Sequence, residues 1–294
     1  MKNFLKYFYN ISVDKIDFNK KYYKFTYNDY EYKLYIITEN ININFLIQLN
    51  SKLLGHTLIS QIVANINKEY ISFYNGIRYV LIKLFVNNKN ITLEEICQFD
   101  NSLYTNNISV NWGNLWSKKV DYLEDLVSEN GKKYPVIVDS FNYFVGMAEN
   151  AISYYNKIII PKGVNYYISH KSIRLGDSID VIYDPLNIIF DYRARDIAEY
   201  IKISFFLKNK NVIYEIEKLI NTNYLSLVDV KLIVSRILYP SFYFDFYEDI
   251  LVYNEDEKIL VNIINMLPEY ESYLYSVISL FQKYYDIDSV DWLK

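Results

Sequence analysis

The sequence predicts an α+β fold, in which a small antiparallel β-sheet is followed by a larger helical region. Two stretches predict the sheet, because residues 22–37 and residues 59–85 each have the pattern of two strands joined by a tight turn. Helices are predicted further along, where apolar side chains recur at helical spacing. We therefore expect a β-rich lobe over residues 1–88 and a helical lobe over residues 89–294.

The strands of the β-rich lobe are rich in aromatic and β-branched residues, as half-buried strands are. Their turns are predicted at Asn28-Asp29 and at Asn75-Gly76, and the second dipeptide is a strong hairpin signal. Between the two strand pairs, residues 44–54 are predicted to form a helix that contains no glutamate.

Helix boundaries in the second lobe follow from local chemistry. Thr92 and Glu95 have the spacing of a capping box, which satisfies backbone N–H groups at the start of a helix. Residues 111–127 are predicted to form a helix with its buried stripe at Trp112, Leu115, Trp116, Val120, Leu123 and Leu126. Further helices are predicted over residues 134–156, 225–239, which ends before Pro240, and 268–285.

Charge and hydropathy exclude several classes of partner. A formal net charge of -4 and a pI near 5.4 provide no general basic field, so duplex nucleic acid is not expected as a partner. No segment has the roughly 20 apolar residues that cross a bilayer, so no membrane partner is expected. The N-terminal stretch lacks the apolar core of a signal peptide, which favours a cytoplasmic protein.

The single cysteine and the many tyrosines both favour structural roles. Cys97 alone excludes an internal disulfide and a cysteine-based zinc cluster, and its apolar and acidic neighbours favour a buried thiol. The 33 tyrosines are scattered over every predicted element, so we expect them to pack in the core or at its rim rather than to stack on a ligand.

Residues 168–201 resemble the catalytic core of the aminoglycoside-phosphotransferase-like kinases. That family has a loop of the form HGDxxxGN, an apolar strand that ends in an aspartate and an aromatic residue, and a helix that opens with Asp-Leu-Ala. The resemblance implies a two-lobed, protein-kinase-like fold. The matching positions here are His170-Lys171-Ser172, Gly176-Asp177, Asp191-Tyr192 and Asp196-Ile197-Ala198.

The resemblance assigns roles to these positions. The catalytic aspartate of the family falls on Ser172, whose hydroxyl cannot act as a base near neutral pH. His170 belongs to the scaffold of the loop. The two metal-binding positions fall on Asp177 and Asp191, and two such carboxylates suit Mg²⁺. The structural alternative is that Asp177 is a turn residue and Asp191 an ordinary carboxylate at a strand end.

Other parts of a nucleotide site are missing or displaced. No glycine precedes Gly55, so no glycine-rich loop is available to hold phosphates. Lys33 is the candidate cofactor-binding lysine, but it lies early in its strand, whereas the phosphate-pairing lysine of the family lies late. Lys33 is therefore either a phosphate ligand or a solvated strand residue, and we expect the second.

Arginine is rare in this chain, with five residues against 26 lysines, and three arginines fall in the kinase-like segment. Arg193 and Arg195 flank the exit of the strand beside Asp191, and Arg174 lies in the loop. A planar fork of donors suits carboxylates and phosphates alike. Arg193 and Arg195 either pair with carboxylates and lock the loop, which we favour, or form a cofactor-binding clamp for a phosphate or carboxylate group.

Three further segments carry a more specific resemblance, and they are WGNLW (112–116), DYRARDIAEYI (191–201) and LYPSFYFDFYEDI (238–250). Together these segments resemble the spore-coat-associated kinase-like proteins of the CotS and YutH type. That resemblance implies a pseudokinase that acts as a structural or assembly protein of the bacterial spore coat, with coat proteins as partners and no cofactor. The alternative is a divergent small-molecule phosphotransferase that uses ATP and Mg²⁺.

Overall fold

A computed structural model of the 294-residue chain describes residues 1–19, 22–38, 41–53, 60–84, 90–100, 104–105, 107–174, 177 and 179–293. The strands are β1 (Asp17–Asn19), β2 (Tyr22–Tyr27), β3 (Tyr30–Ile37), β4 (Gln61–Val63), β5 (Ser72–Tyr74), β6 (Ile77–Lys83), β7 (Tyr104–Thr105), β8 (Tyr166–His170) and β9 (Ile188–Asp191).

The helices follow the predicted order, and each predicted helix of the second lobe is present within a few residues of its expected bounds. They are α1 (Lys2–Tyr9), α2 (Ile43–Leu53), α3 (Leu93–Asp100), α4 (Trp112–Asn130), α5 (Pro135–Asn156), α6 (Ala194–Phe206), α7 (Val212–Asn221), α8 (Leu227–Leu238), α9 (Ser241–Tyr253), α10 (Lys258–Asn265) and α11 (Leu267–Tyr284), with 3-10 turns at Gly131–Lys133 and Ile179–Val181.

The chain divides into two compact units, each described here by itself. The first unit also contains residues that the sequence analysis placed in the helical lobe. It comprises Met1–Ile91, His170–Ser172 and Gly176–Ile189, and the second comprises Thr92–Ser169, Ile173–Leu175 and Phe190–Lys294.

Both predicted hairpins are present in the first unit. The turn residues Asn28, Asp29, Asn75 and Gly76 all have positive φ, which is the backbone that two-residue hairpin turns require. The strands pair antiparallel in the order β1-β2-β3-β6-β4, and β5 also pairs with β6. The α+β fold class predicted from these turns is therefore confirmed.

Both faces of the sheet in the first unit are covered by other parts of the chain. Successive residues of a strand point to opposite faces, so each strand contributes side chains to both cores. Leu34 and Leu81 pack on one side with α1, through Phe4 and Leu5. The residues of opposite parity face the other side, where Val80, Ile82 and Leu84 pack with Leu46, Ile62 and Leu186. Lys33 and Tyr35 share this second parity on β3, and their surroundings form the candidate site of this unit.

Capping chemistry determines several helix starts in the second unit. The predicted capping box is present, since the N–H of Thr92 donates to Glu95 Oε2 at 3.3 Å and the N–H of Glu95 donates to Thr92 Oγ1 at 3.2 Å. One predicted core position of α4 is wrong, because Leu115 is 55% exposed while Trp112, Trp116, Val120 and Leu123 form the buried stripe.

Two remaining expectations concern single residues and membrane spans. Cys97 on α3 is half-buried, whereas the sequence predicted a buried thiol. Across the residues that the structure describes, every helix is too short or too polar to span a bilayer.

A short second sheet has the strand order β7-β8-β9.

Candidate functional site

Lys33 is buried in the first unit, and the expectation that it is a solvated strand residue was wrong. Its side chain extends from β3 toward the 3-10 turn that contains Asp180, where Nζ lies 3.6 Å from Oδ2 of that carboxylate. The ammonium group also lies 5.0 Å from the ring centroid of Tyr22. Only 8% of the residue is exposed, because the segment after the catalytic-loop positions covers this face of the sheet.

A second carboxylate lies beside this pair. Asp184 accepts a hydrogen bond from the hydroxyl of Tyr35 and another, at 3.0 Å, from the N–H of Leu186. Burial raises the pKa of the Asp184 carboxyl, and the contact with Tyr35 and the charge of Lys33 oppose that rise only in part. Asp184 was not among the predicted site residues, because nothing in its own segment indicates that it contacts β3.

Asp184→Asn is expected to gain stability relative to the wild type as the pH rises. A carboxyl whose pKa is raised in the folded state stabilises the protein fully only below its ordinary pKa, and that contribution is lost as the pH rises through the folded pKa. Urea unfolding from about pH 4 to about pH 8 measures the difference. Asp14→Asn at an exposed position serves as the control for the substitution itself, and a flat difference for Asp184→Asn would contradict the burial argument.

The catalytic-loop positions of the first unit are held by hydrogen bonds to neighbouring backbone. His170 ends β8 and its Nε2 lies 2.8 Å from the carbonyl oxygen of Ile182. The side chain of Asn187 ties the loop at Ser172, accepting from its N–H at 3.2 Å and donating to its carbonyl oxygen at 2.9 Å. Asp177 is half-buried and lies outside the helices and strands. Asn187 was not predicted as part of the loop. Its position immediately before β9 is the one feature of the sequence that could have indicated a role there.

In the second unit, Asp191 is surrounded by donors. Its Oδ1 accepts from Trp112 Nε1 at 2.9 Å and from the N–H of Tyr192 at 2.7 Å. Its Oδ2 accepts from the guanidinium of Arg195 at 2.6 Å and from Trp112 Nε1 at 3.2 Å. The residue is 2% exposed. Asp191 thus ends β9 as a buried, ion-paired carboxylate, and its partner Arg195 follows at i+4.

The line of buried charge continues along α6. Glu199 lies one turn beyond Arg195, and its carboxylate pairs with Arg236 Nε at 2.8 Å and with Lys202 Nζ at 2.9 Å. Lys202 Nζ also donates to Ser241 Oγ at 2.6 Å. This cluster of two carboxylates, two guanidinium groups and an ammonium group was not predicted beyond the pairing of Arg195.

The charges set each other's protonation states. Burial acts to raise the pKa of the Glu199 carboxyl, but Lys202 and Arg236 outweigh burial and lower the pKa to about 2. Burial lowers the pKa of the Lys202 ammonium to about 8, although Glu199 acts in the opposite direction. The Arg236 guanidinium also lies 4.7 Å from the ring centroid of Trp112, so the cluster and the indole form one packed unit.

The other two arginines of the segment have different surroundings in the second unit. Arg193 lies between two aromatic rings, at 4.0 Å from that of Tyr167 and 4.3 Å from that of Tyr224. Arg174 pairs with two acids of α9, at 3.3 Å from Asp245 and 3.2 Å from Asp249. Within the described ranges, no three histidine, cysteine or acidic side chains are grouped in a way that would hold a metal ion.

Solved structures identify the class of this fold as the kinase-like fold of the aminoglycoside phosphotransferases. An aminoglycoside phosphotransferase from Alicyclobacillus acidocaldarius aligns with a TM-score of 0.64 at 11% identity, covering 94% of this chain and 93% of the other. Spectinomycin phosphotransferase APH(9)-Ia, solved with ADP and spectinomycin, aligns with a TM-score of 0.55 at 14% identity, covering 95% of each chain. At these identities the likeness shows the fold alone.

The sequence itself defines the family. The family model described as "Spore coat putative kinase YutH" matches residues 2–277, and the chain belongs to this family. A curated relative, the endospore coat-associated protein YutH of Bacillus subtilis (strain 168), is 27% identical over 184 residues. That alignment covers 55% of this chain and 54% of the relative, so the chain matches about half the length of the curated protein.

Proposed function

We propose that this chain is a pseudokinase, a kinase-like protein without phosphoryl transfer, which serves as a structural or assembly protein of the spore coat. The observation that carries the proposal is the environment of Asp191, the position at which the related kinases bind metal. Its carboxylate is buried and already accepts four hydrogen bonds from Trp112, Tyr192 and Arg195.

The donors around Asp191 do not fit a magnesium ion. A carboxylate has about four acceptor sites, and here the contacts with three residues use them. A magnesium ion needs direct oxygen contacts at about 2.1 Å and a near-octahedral shell of further oxygens. To bind at Asp191 it would have to displace Arg195, which would leave the guanidinium group buried and without its carboxylate.

The two other kinase positions support the same conclusion. Ser172 lacks the carboxylate that orients an acceptor hydroxyl, and Asn187 holds its backbone in the loop. The ammonium group of Lys33, the candidate cofactor-binding lysine, pairs with Asp180 at 3.6 Å instead of with a phosphate. The chain thus retains the scaffold of the catalytic loop while its polar groups are used by one another.

We expect ATP with Mg²⁺ to leave the melting midpoint of the protein unchanged. A ligand present at 100 times its dissociation constant adds about 2.7 kcal/mol of stability, which for a chain of this size moves the midpoint by several degrees. The measurement is a thermal-shift titration up to millimolar nucleotide on the wild type and on Asp191→Asn. A shift that appears in the wild type and disappears in the variant would refute the pseudokinase proposal.

The alternative is a divergent phosphotransferase that uses ATP and Mg²⁺ on a small-molecule acceptor. It is supported by the likeness to the spectinomycin phosphotransferase solved with ADP and with AMP. In this candidate function, Lys33 would exchange Asp180 for a phosphate, and Asp177 with Asp191 would hold the metal. Lys33→Met should then abolish the nucleotide-dependent shift, whereas an unshifted wild type rules out this candidate.

The coat role is supported by the family and by the coat-associated relative. It implies synthesis in the cytoplasm, protein partners among coat components and association with the spore coat. Fractionation of spores from a strain that carries an epitope-tagged copy tests it. The tagged chain should be recovered with the extracted coat, and recovery in the spore core would contradict the proposal.

A further inference from the structure

The modest net charge of the chain conceals a strong asymmetry along its length. Residues 1–91 contain 12 lysine and arginine residues against six acidic residues, a formal charge of +6. The remaining 203 residues contain 19 basic and 29 acidic residues, a formal charge of -10. The first unit also includes residues 170–172 and 176–189, which add one lysine and three aspartates, so the first unit carries a formal charge of +4 and the second a formal charge of -8. The two units therefore carry charges of opposite sign.

Part of the basic charge lies on the outer side of α1, a helix that contains two lysines and no acidic residue. Lys2 and Lys6 lie one turn apart and are exposed, and Tyr7 beside them is 71% exposed. The adjacent turn is held against the end of this helix by a backbone hydrogen bond from Ile66 to Phe8 at 2.8 Å. These exposed residues, Lys2, Lys6, Tyr7 and Ile66, are named the α1 face.

The acidic charge is presented on α4. Asp121, Asp125 and Glu129 are spaced by four residues, so they lie along one side of the helix, and all three are exposed. Tyr122, which is 41% exposed, lies beside them. These four residues, Asp121, Tyr122, Asp125 and Glu129, are named the α4 face. The same helix also carries the exposed Lys118 and the half-buried Lys119, whose Nζ lies 5.1 Å from the ring centroid of Tyr122, so the α4 face is acidic in its net charge and not free of cations. Each face thus combines a net charge of one sign with an exposed tyrosine, a residue type that is enriched at protein interfaces.

We propose that the α1 face of one molecule binds the α4 face of a second copy of this chain. Charge complementarity selects this occupant, because each molecule carries both signs and thus supplies the complement of either face. Pairing two identical faces would bring like charges together, which is costly. Because the contact joins two different faces, a pair of molecules still has one free α1 face and one free α4 face. Further copies can therefore add at both ends, which gives an open array, or a ring if the last copy meets the first.

This inference rests on the proposed structural role and names a partner for it. Sedimentation velocity on the full chain provides the test. At about 0.05 M salt the average sedimentation coefficient should rise with protein concentration, and at about 0.5 M salt it should return to that of the monomer, since added salt screens exposed charges. A wild type that stays monomeric at low salt overturns the proposal. It is overturned equally if such a monomer binds anionic lipid vesicles when these are added.

Charge reversals place the contact. Lys2→Glu with Lys6→Glu should abolish the concentration dependence in a chain that circular dichroism shows to be folded. Asp121→Lys with Asp125→Lys should abolish it equally. The matched control Lys162→Glu with Lys210→Glu makes the same change in net charge at exposed sites outside both faces, and it should assemble as the wild type does. Assembly by either face variant at the wild-type level would overturn the proposal.

Mixing the two face variants distinguishes this arrangement from any symmetric dimer. One variant retains only its α4 face and the other only its α1 face, so an equimolar mixture should form a 1:1 dimer and nothing larger. Combining all four reversals in one chain exchanges the signs and should restore assembly. If the mixture stays monomeric, or the combined variant fails to assemble while folded by circular dichroism, the pairing is wrong.

Nucleotide titration of the monomeric face variants separates this inference from the proposed function. If the face variants show a thermal shift with ATP and Mg²⁺ while the wild type assembles as predicted, only the pseudokinase proposal is refuted. Absence of both assembly and a thermal shift in the wild type would refute only the self-association.

Discussion

Replacing Glu199 by glutamine is expected to lower the free energy of unfolding by about 3–5 kcal/mol, because the variant leaves buried cations without their carboxylate. Lys202 and Arg236 both pair with Glu199 at distances below 3 Å, and all three side chains are almost fully buried. Glutamine retains the shape and a hydrogen-bond acceptor, so the loss isolates the charge. For a chain of this size the midpoint should fall by roughly 10 °C.

Urea unfolding of Glu199→Gln and the wild type measures this difference, with Glu215→Gln as the control. Glu215 accepts a hydrogen bond from the hydroxyl of Tyr200 at 2.6 Å, an uncharged partner, so its variant should lose about 1 kcal/mol or less. A loss of the same size for both variants would mean that the charge of Glu199 contributes no more than an ordinary hydrogen bond.

The pH dependence gives an independent check on Glu199. Its folded pKa of about 2 lies below its ordinary value of 4.5, so its contribution is complete above about pH 4.5. That contribution is lost as the pH falls toward 2, when the wild-type carboxyl takes up a proton. The difference between the wild type and Glu199→Gln should therefore shrink between about pH 5 and pH 2.

The second large effect is expected for Trp112, whose side chain is fully buried. Trp112→Phe removes the indole N–H that both oxygens of Asp191 accept, and hydrogen bonds to charged groups contribute about 1.5–3 kcal/mol. It also shrinks the ring under the Arg236 guanidinium and leaves a cavity, which adds to the cost. We expect a total loss of about 3 kcal/mol or more.

Trp116→Phe provides a matched control for the loss of ring size. Trp116 lies one turn further along α4 and stacks on Tyr239 with ring centroids 4.5 Å apart. Urea unfolding should show a smaller loss for Trp116→Phe than for Trp112→Phe, by about the value of the hydrogen bond to Asp191. Equal losses would indicate that this hydrogen bond does not stabilise the fold.

The parts of the fold that could be predicted from the sequence are those that local chemistry determines. The Asn-Asp and Asn-Gly turns require positive φ, and the flanking strands alternate, so both hairpins follow from short windows. The capping box at Thr92 is likewise local. Leu115 was wrongly assigned to the core, since it is 55% exposed. The width of the buried stripe on α4 depends on how far α5 and α9 extend over the helix, and helical spacing alone does not give that width.

The surroundings of the site residues could not be predicted because their partners are distant in sequence. Tyr35 and Asp184 are 149 residues apart, and Trp112 and Asp191 are 79 residues apart. A pattern of single residues contains no information on such pairs, which is why Lys33 was expected in solvent. Arg195 was the exception, because its partner Asp191 precedes it by four residues.

The charges along α6 have a consequence for how that helix is oriented. Every residue from Asp196 to Ser204 is buried, so this part of the helix has no solvent-exposed side that would distinguish one rotation about its axis from another. Arg195 and Glu199 lie one turn apart on α6, where Arg195 pairs with Asp191 at the end of β9 and Glu199 pairs with Arg236 of α8. A turn of about 100°, the step between successive residues, would separate each charge from its partner. The buried ion pairs of Arg195 and Glu199 therefore favour one rotation of α6 about its axis over the neighbouring ones.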